Sequence, residues 1–118
     1  MGTTSFKLNF PAGVVSWYCT AQAANAQSMQ IKDPKGQLIV DTKIKGQLSN
    51  FSVGSFASGG GDYTVLFPGC VDVKEDRASL DDGQGNLIVT TEQYAGEDAG
   101  DKDYNDVFAT ITWYKKSG

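Results

Sequence analysis

Between residues 97 and 106 the chain runs Glu97-Asp98-Ala99-Gly100-Asp101-Lys102-Asp103-Tyr104-Asn105-Asp106. Five carboxylates and one side-chain amide fall in this run, all of them hard oxygen donors. Calcium takes about six to eight such oxygens, from carboxylates, amides and carbonyls. The spacing Asp101-x-Asp103-x-Asn105 puts successive donors on one side of an extended or looping backbone. Gly100 permits a sharp turn between them. Left empty, so dense a cluster resists full ionisation, because neighbouring carboxylates repel one another. A divalent ion relieves that repulsion.

The order of ligands excludes an EF-hand, which needs glycine after the third ligand and glutamate at the end of its loop. Asp106 follows Asn105 here, and Thr112 stands where the glutamate would be. The run leads into Val107-Phe108-Ala109-Thr110-Ile111-Thr112-Trp113, which reads as a strand and not as a helix. A site anchored on strands, with Asp103 and Asp106 as bridging ligands, suits two ions. The other readings of the run are a solvated acidic loop and a single structural calcium that pins the loop.

Charge elsewhere supports a cation as partner. Residues 92–106 hold six acids and one base, a net of −5 in a chain of net −4. The rest of the chain therefore sums to +1, and nucleic acid is not an expected partner. The sequence has no histidine and two cysteines, Cys19 and Cys70. That excludes a zinc site as well as Ser-His-Asp and Cys-His catalysis. Cys19 and Cys70 either pair across a long loop or lie buried as free thiols.

The elements that must position the acidic run read as short strands. Phe6-Lys7-Leu8-Asn9-Phe10 alternates, and Pro11-Ala12-Gly13 breaks it. Val14-Val15-Ser16-Trp17-Tyr18-Cys19-Thr20 is β-branched and aromatic. Alanine-rich residues 21–27 are taken as strand and loop, because both neighbours are strand-like. Ser28-Met29-Gln30-Ile31-Lys32 and Gln37-Leu38-Ile39-Val40 flank the turn Asp33-Pro34-Lys35-Gly36. Further strands are expected at 47–56, 62–67, 71–74, 87–91 and 107–114. Loops are expected at Ser58-Gly59-Gly60-Gly61, Pro68-Gly69 and Asp81-Asp82-Gly83-Gln84-Gly85-Asn86. The last of these is read as a plain hairpin loop. The fold class is therefore all-β, an antiparallel β-sandwich of about eight or nine strands, Greek-key-like, over a single domain of residues 1–118.

No run of apolar residues is long enough for a transmembrane helix, and no membrane insertion is expected. Met1-Gly2-Thr3-Thr4-Ser5 lacks the basic and apolar parts of a secretory signal. An extracellular or cell-surface protein exported by another route is the expectation, with cytoplasmic synthesis as the alternative.

Residues 97–106, followed by a strand ending in Trp113 and a C-terminal glycine, resemble the calcium-dependent fucose- and mannose-binding bacterial lectins, the fucose-binding lectin II family. Phe10-Pro11-Ala12 is similar to the early strand and turn of that family. The resemblance implies a small β-sandwich, a homodimer or homotetramer, and two adjacent calcium ions that sugar hydroxyls coordinate directly. By position it implies Glu97, Asp101, Asp103 and Asp106 as ligands of the first ion, and Asp103, Asn105 and Asp106 as ligands of the second. Asp98 matches a residue that hydrogen-bonds the sugar. Asn25 matches an asparagine that contributes its backbone oxygen, and Ala26 beside it resembles the mannose-preferring members. Gly118 matches a terminal glycine whose carboxylate reaches the neighbouring subunit's calcium. The tail Tyr114-Lys115-Lys116-Ser117-Gly118 is two residues longer than the family's Pro-Leu-Gly ending.

The leading expectation is thus a calcium-dependent lectin for mannose- or fucose-containing glycans, without catalysis. The alternative is a calcium-stabilised β-sandwich used for adhesion or assembly, without a sugar site. A hydrolase using Glu97 and Asp101 ranks below both. A chain this short leaves little room for a substrate cleft, and calcium would occupy those carboxylates. Trp17, Tyr94 and Tyr104 are candidate sugar-stacking aromatics, with packing as the commoner role for each.

Overall fold

The computed structural model describes residues 2–46, 50–98 and 104–115. Seven strands make up the described structure: β1 (Thr3–Ala21), β2 (Ala23–Lys32), β3 (Leu38–Gly46), β4 (Phe51–Pro68), β5 (Asp72–Asp81), β6 (Leu87–Glu97) and β7 (Val107–Tyr114). They form one antiparallel sheet in the order β3-β2-β4-β1-β7-β6-β5. The sheet folds over on itself as a sandwich. β2 and β7 touch although two strands lie between them in the sheet.

The fold-over explains why the strands number seven where the sequence suggested eight or nine. Pro11-Ala12-Gly13 and Ser58-Gly59-Gly60-Gly61 were expected to interrupt strands. They bend them without breaking them. β1 and β4 pair along almost their whole lengths, from Thr3↔Pro68 to Thr20↔Phe51. Each therefore serves both layers. The first half of β1 and the second half of β4 lie with β2 and β3. The other halves lie with β7, β6 and β5. Gly60 and Gly61 take φ of 93° and 126° at this bend, which a side chain would resist. Gly13 lies where a Cβ would come within 2.2 Å of the Tyr114 carbonyl oxygen. The Trp113 indole N–H donates to the Pro11 carbonyl at 3.0 Å and ties the bend to the end of β7.

Period-two alternation along each strand supplies the core. Leu8 and Phe10 of β1, Met29 and Ile31 of β2, and Val65 and Phe67 of β4 are buried. They meet Val15 and Cys19 from β1 and Val107, Ala109, Ile111 and Trp113 from β7. Each large apolar side chain so buried contributes roughly 1.5–3 kcal/mol. Tyr94 joins this core, with its ring 5.1 Å from that of Phe67. Trp17 lies across Gly54, where a Cβ would meet its ring at 2.6 Å. For both, packing and not an exposed platform is the outcome.

The turns follow their chemistry. The Gly36 N–H donates to the Asp33 carbonyl at 2.9 Å, closing the proline turn between β2 and β3. Residues 82–86 form the hairpin loop expected there, with the Asp82 N–H donating to the Asn86 carbonyl at 3.0 Å. β5 is longer than residues 71–74, because it pairs with β6 down to this loop. Cys19 and Cys70 are both free and buried. Burial, reinforced by the nearby Cys70, pushes the Cys19 thiol up to about 12.

Candidate functional site

β6 and β7 are neighbours, and the acidic run connects them. Gly96↔Val107 is the last pair of their ladder, so Glu97 and Asp106 face each other at its mouth. Asp106 closes that mouth with three of its own atoms. Its N–H donates to the Gly96 carbonyl at 3.1 Å, and its carbonyl accepts from the Gln22 N–H at 3.2 Å. Its Oδ2 accepts from the Asp98 N–H at 2.9 Å. The strand pairing thus fixes both ends of the acidic run before any ligand is bound.

The second wall comes from β2. Its pairing with β3 shifts between Ala23 and Gln27: Ala23 faces Gly46, yet Gln27 faces Ile44. Four residues on β2 are matched by two on β3, so Asn25 and Ala26 bulge outward and are exposed. Such bulges re-aim the backbone at functional sites. Gln27, just behind the bulge, is 3% exposed and ties the two walls together. Its Nε2 donates to the Asn25 carbonyl at 3.2 Å and to Asp98 Oδ2 at 2.8 Å. The Cys70 thiol completes the group by donating weakly to Gln27 Oε1 at 3.9 Å. A carbonyl oxygen has two acceptor positions, and the Gln27 bond uses one of those on the Asn25 oxygen.

Electrostatics mark the same spot. Burial pushes the Cys70 thiol up to about 11, and the carboxylates of Asp98 and Asp106 push it the same way. The Cys70 thiol therefore stays protonated beside Gln27. Glu97 is only 1% exposed, and its carbonyl accepts from the Val71 N–H at 2.8 Å. Burying a carboxylate this deeply is costly unless it is neutralised by a partner or a metal.

Tyr104 anchors the exit of the run. Its hydroxyl donates to the Asp72 carboxylate in a short hydrogen bond. The Lys74 ammonium lies 5.1 Å from the centre of the Tyr104 ring and 3.5 Å from Asp72. The Tyr104 hydroxyl chiefly, helped by Lys74, holds the Asp72 carboxyl below its usual range. Tyr104 has φ of 53°, a left-handed conformation that a non-glycine residue adopts only when its surroundings hold it. Its ring is committed to β5, not offered as a stacking surface.

Of the expected site residues, the structure brings Asn25, Asp98 and Asp106 together, with Glu97 at the same strand end. Ala26 lies exposed beside Asn25, and Asn105 is exposed next to Asp106. Asp101, Asp103 and Gly118 lie outside the described residues. Among the described residues no three acid or cysteine side chains form a metal cage. The donors present are nonetheless all of one hard type, carboxylate, carboxamide and carbonyl oxygen. With a buried carboxylate at the loop entrance they fit calcium. Sequence reasoning missed Gln27 and Asp72. The phase of Gln27 with Met29 and Ile31 places it on the inward face, but nothing local names Asp98, just past β6, as its partner.

Known proteins resemble this chain in sequence and in fold. Residues 8–115 match the sequence model of the fucose-binding lectin II (PA-IIL) family. Thrombocorticin from Corticium sp. is 31% identical over 125 residues, covering 89% of each chain. A high-affinity mannose-binding lectin of Ralstonia solanacearum superposes with a TM-score of 0.74 at 20% identity, over 91% of this chain and 94% of that one. A Chromobacterium violaceum lectin, solved in complex with α-methyl-fucoside, gives 0.68 at 19% identity, over 92% and 94%. The C-terminal domain of a Burkholderia cenocepacia lectin gives 0.68 at 22% identity, over 95% and 97%. These structures share the β-sandwich fold.

Proposed function

The chain belongs to the fucose-binding lectin II family, carbohydrate-binding proteins without catalytic activity, and we propose that it binds mannose- or fucose-type sugars in a calcium-dependent way at the β6–β7 mouth. The supporting observation is the convergence of the Asn25 carbonyl, Asp98 and Asp106 on one spot, joined through Gln27. Two walls that are far apart in sequence are joined there through Gln27, at the point where the acidic run leaves β6.

Glu97, Asp101, Asp103, Asn105 and Asp106 are the residues that would hold two calcium ions, with the Asn25 carbonyl as a further donor and the Gly118 carboxylate as a donor to a neighbouring copy. Bound calcium supplies exchangeable coordination positions that a sugar diol can fill in place of water, which magnesium gives up reluctantly. The chain's own residues do the rest. Asp98, half-buried and oriented by Gln27, accepts a sugar hydroxyl in a charge-assisted bond. Ala26, small and exposed on the bulge, leaves space beside the site and favours mannose. Copies of the chain associate as a homodimer or homotetramer. A sugar-binding role also places the working protein outside the cell or at a cell surface.

An Asp103→Ala variant tests the ligand set. Calcium stoichiometry, read by calorimetry, should fall from two ions to none, because Asp103 is assigned to both. Unchanged stoichiometry would remove Asp103 from the set. Normal calcium binding with no response to mannose or fucose at millimolar concentration would instead support a purely structural calcium.

A further inference from the structure

The entrance and the exit of the acidic run meet the same strand end. Asp72, the first residue of β5, stands opposite Glu97, the first residue of the run, in the β5–β6 ladder. The Val71 N–H just before it donates to the Glu97 carbonyl at 2.8 Å. The Asp72 carboxylate also accepts from the Tyr104 hydroxyl. One residue of β5 therefore holds the run twice, by its place in the ladder where the run leaves β6 and by its side chain at Tyr104.

Lys74 stands two residues along β5 and so shares a face with Asp72. Its ammonium lies 3.5 Å from the Asp72 carboxylate and 5.1 Å from the centre of the Tyr104 ring. The ring is thus held at its hydroxyl by Asp72 and at its face by Lys74. Among the described residues Tyr104 alone, apart from glycines, has a left-handed backbone, with φ of 53°. Such a conformation persists where the surroundings over-determine it. Here the constraint comes from β5, outside the run. It fixes the direction from which the chain enters Asn105 and Asp106, both assigned above to calcium. Charge is a poor account of the contact. The side chains of Lys74 and Asp72 are 63% and 43% exposed, so the lysine and the solvent both offset the carboxylate's field. What Asp72 contributes is geometry.

We propose that Asp72 is a positioning residue for calcium: by holding Tyr104 against β5 it presets the exit of the loop, and it raises calcium affinity without touching the ion. This rests on the calcium reading above and deepens it. A loop whose two ends are already held has less freedom to lose when an ion binds. More of the interaction between ion and ligands then appears as affinity. Lys74 acts on the same contact by keeping the carboxylate beside the ring. The determinant lies on a strand that supplies no proposed ligand.

The test is calorimetric calcium titration of the wild type, Asp72→Ala, Tyr104→Phe and the double variant D72A/Y104F. Circular dichroism and thermal melting of the calcium-free proteins check that each is folded. Each single variant should weaken calcium binding by about tenfold, as loss of a hydrogen bond to a charged group does. The double variant should weaken it no further, because both changes remove the same contact. Y104F leaves the formal charge of the chain unchanged, so its loss of affinity reports position and not charge. Weakened binding in D72A with wild-type binding in Y104F would mean that Asp72 acts by its charge, and would overturn the proposal. Additive losses in the double variant would also overturn it, since the two residues would then act separately. Lower melting temperatures with unchanged calcium affinity would reduce the contact to a structural one, against the proposal. A wild type that binds no calcium would overturn the calcium reading itself, and this proposal with it.

Discussion

Gln27 and Asp98 are 71 positions apart, yet the Gln27 carboxamide donates to the Asp98 carboxylate at 2.8 Å while its other hydrogen goes to the Asn25 carbonyl. One buried glutamine therefore sets the spacing between the bulge of β2 and the entrance of the acidic loop. Gln27→Ala should cost about 1–3 kcal/mol of stability, since it leaves polar partners unsatisfied. It should also weaken sugar binding, although Gln27 is not itself a proposed calcium ligand. Urea unfolding and sugar titration of the variant check both effects. Full affinity in the variant would show that the glutamine has no part in positioning the site.

Tyr104→Phe should loosen the exit of the loop and return the Asp72 carboxyl toward its ordinary value of 3.8. The sign follows from the lowered pKa. The bond's contribution is present above the unfolded value and is lost as pH falls through the lowered folded value. Wild type and variant should therefore differ in stability near neutral pH and converge in acid. Carboxyl titration by NMR reads the Asp72 change directly, and an unmoved Asp72 would contradict the assignment.

The two thiols should be inert in the native protein. Burial raises Cys19 to about 12 and Cys70 to about 11, so neither carries a useful thiolate fraction at pH 8. A thiol reagent should label neither in the folded state and both in denaturant. Rapid native labelling would mean that the core opens at β1 or before β5. Absence of labelling in denaturant without reductant would mean that the two are paired.

Gly13→Ala should destabilise strongly, by about 3 kcal/mol or more, because the new Cβ meets a backbone oxygen that cannot move aside. Gly59→Ala, with no atom near the added Cβ, should change stability by at most about 0.5 kcal/mol. Thermal melting separates the two. Similar effects at both positions would argue against the tight approach of β1 to the end of β7.

Local pattern carried much of this fold. The alternation of Phe6 to Phe10, the aromatic run before Cys19 and the proline turn at Asp33 all lie in the elements their chemistry indicates. The strand count did not follow, because a Pro-Ala-Gly or triple-glycine segment ends a strand only if its partner also ends. Here β1 and β4 bend together, opposite each other, and remain paired. The acidic run was legible because carboxylate density is a local property. Gln27 and Asp72 were not, because each acquires its role from a partner on another strand. Asn25 lay between these cases. The resemblance indicated it, but its place beside Asp98 depends on a bulge that only pairing with β3 creates.

The most direct measurement is calorimetric titration of the protein with mannose and fucose, before and after removal of calcium by a chelator and again after calcium is restored. Binding should be present with calcium, absent after chelation and recovered on restoring it, with mannose preferred over fucose. Sugar binding that survives chelation unchanged would contradict the calcium-dependent site at the β6–β7 mouth.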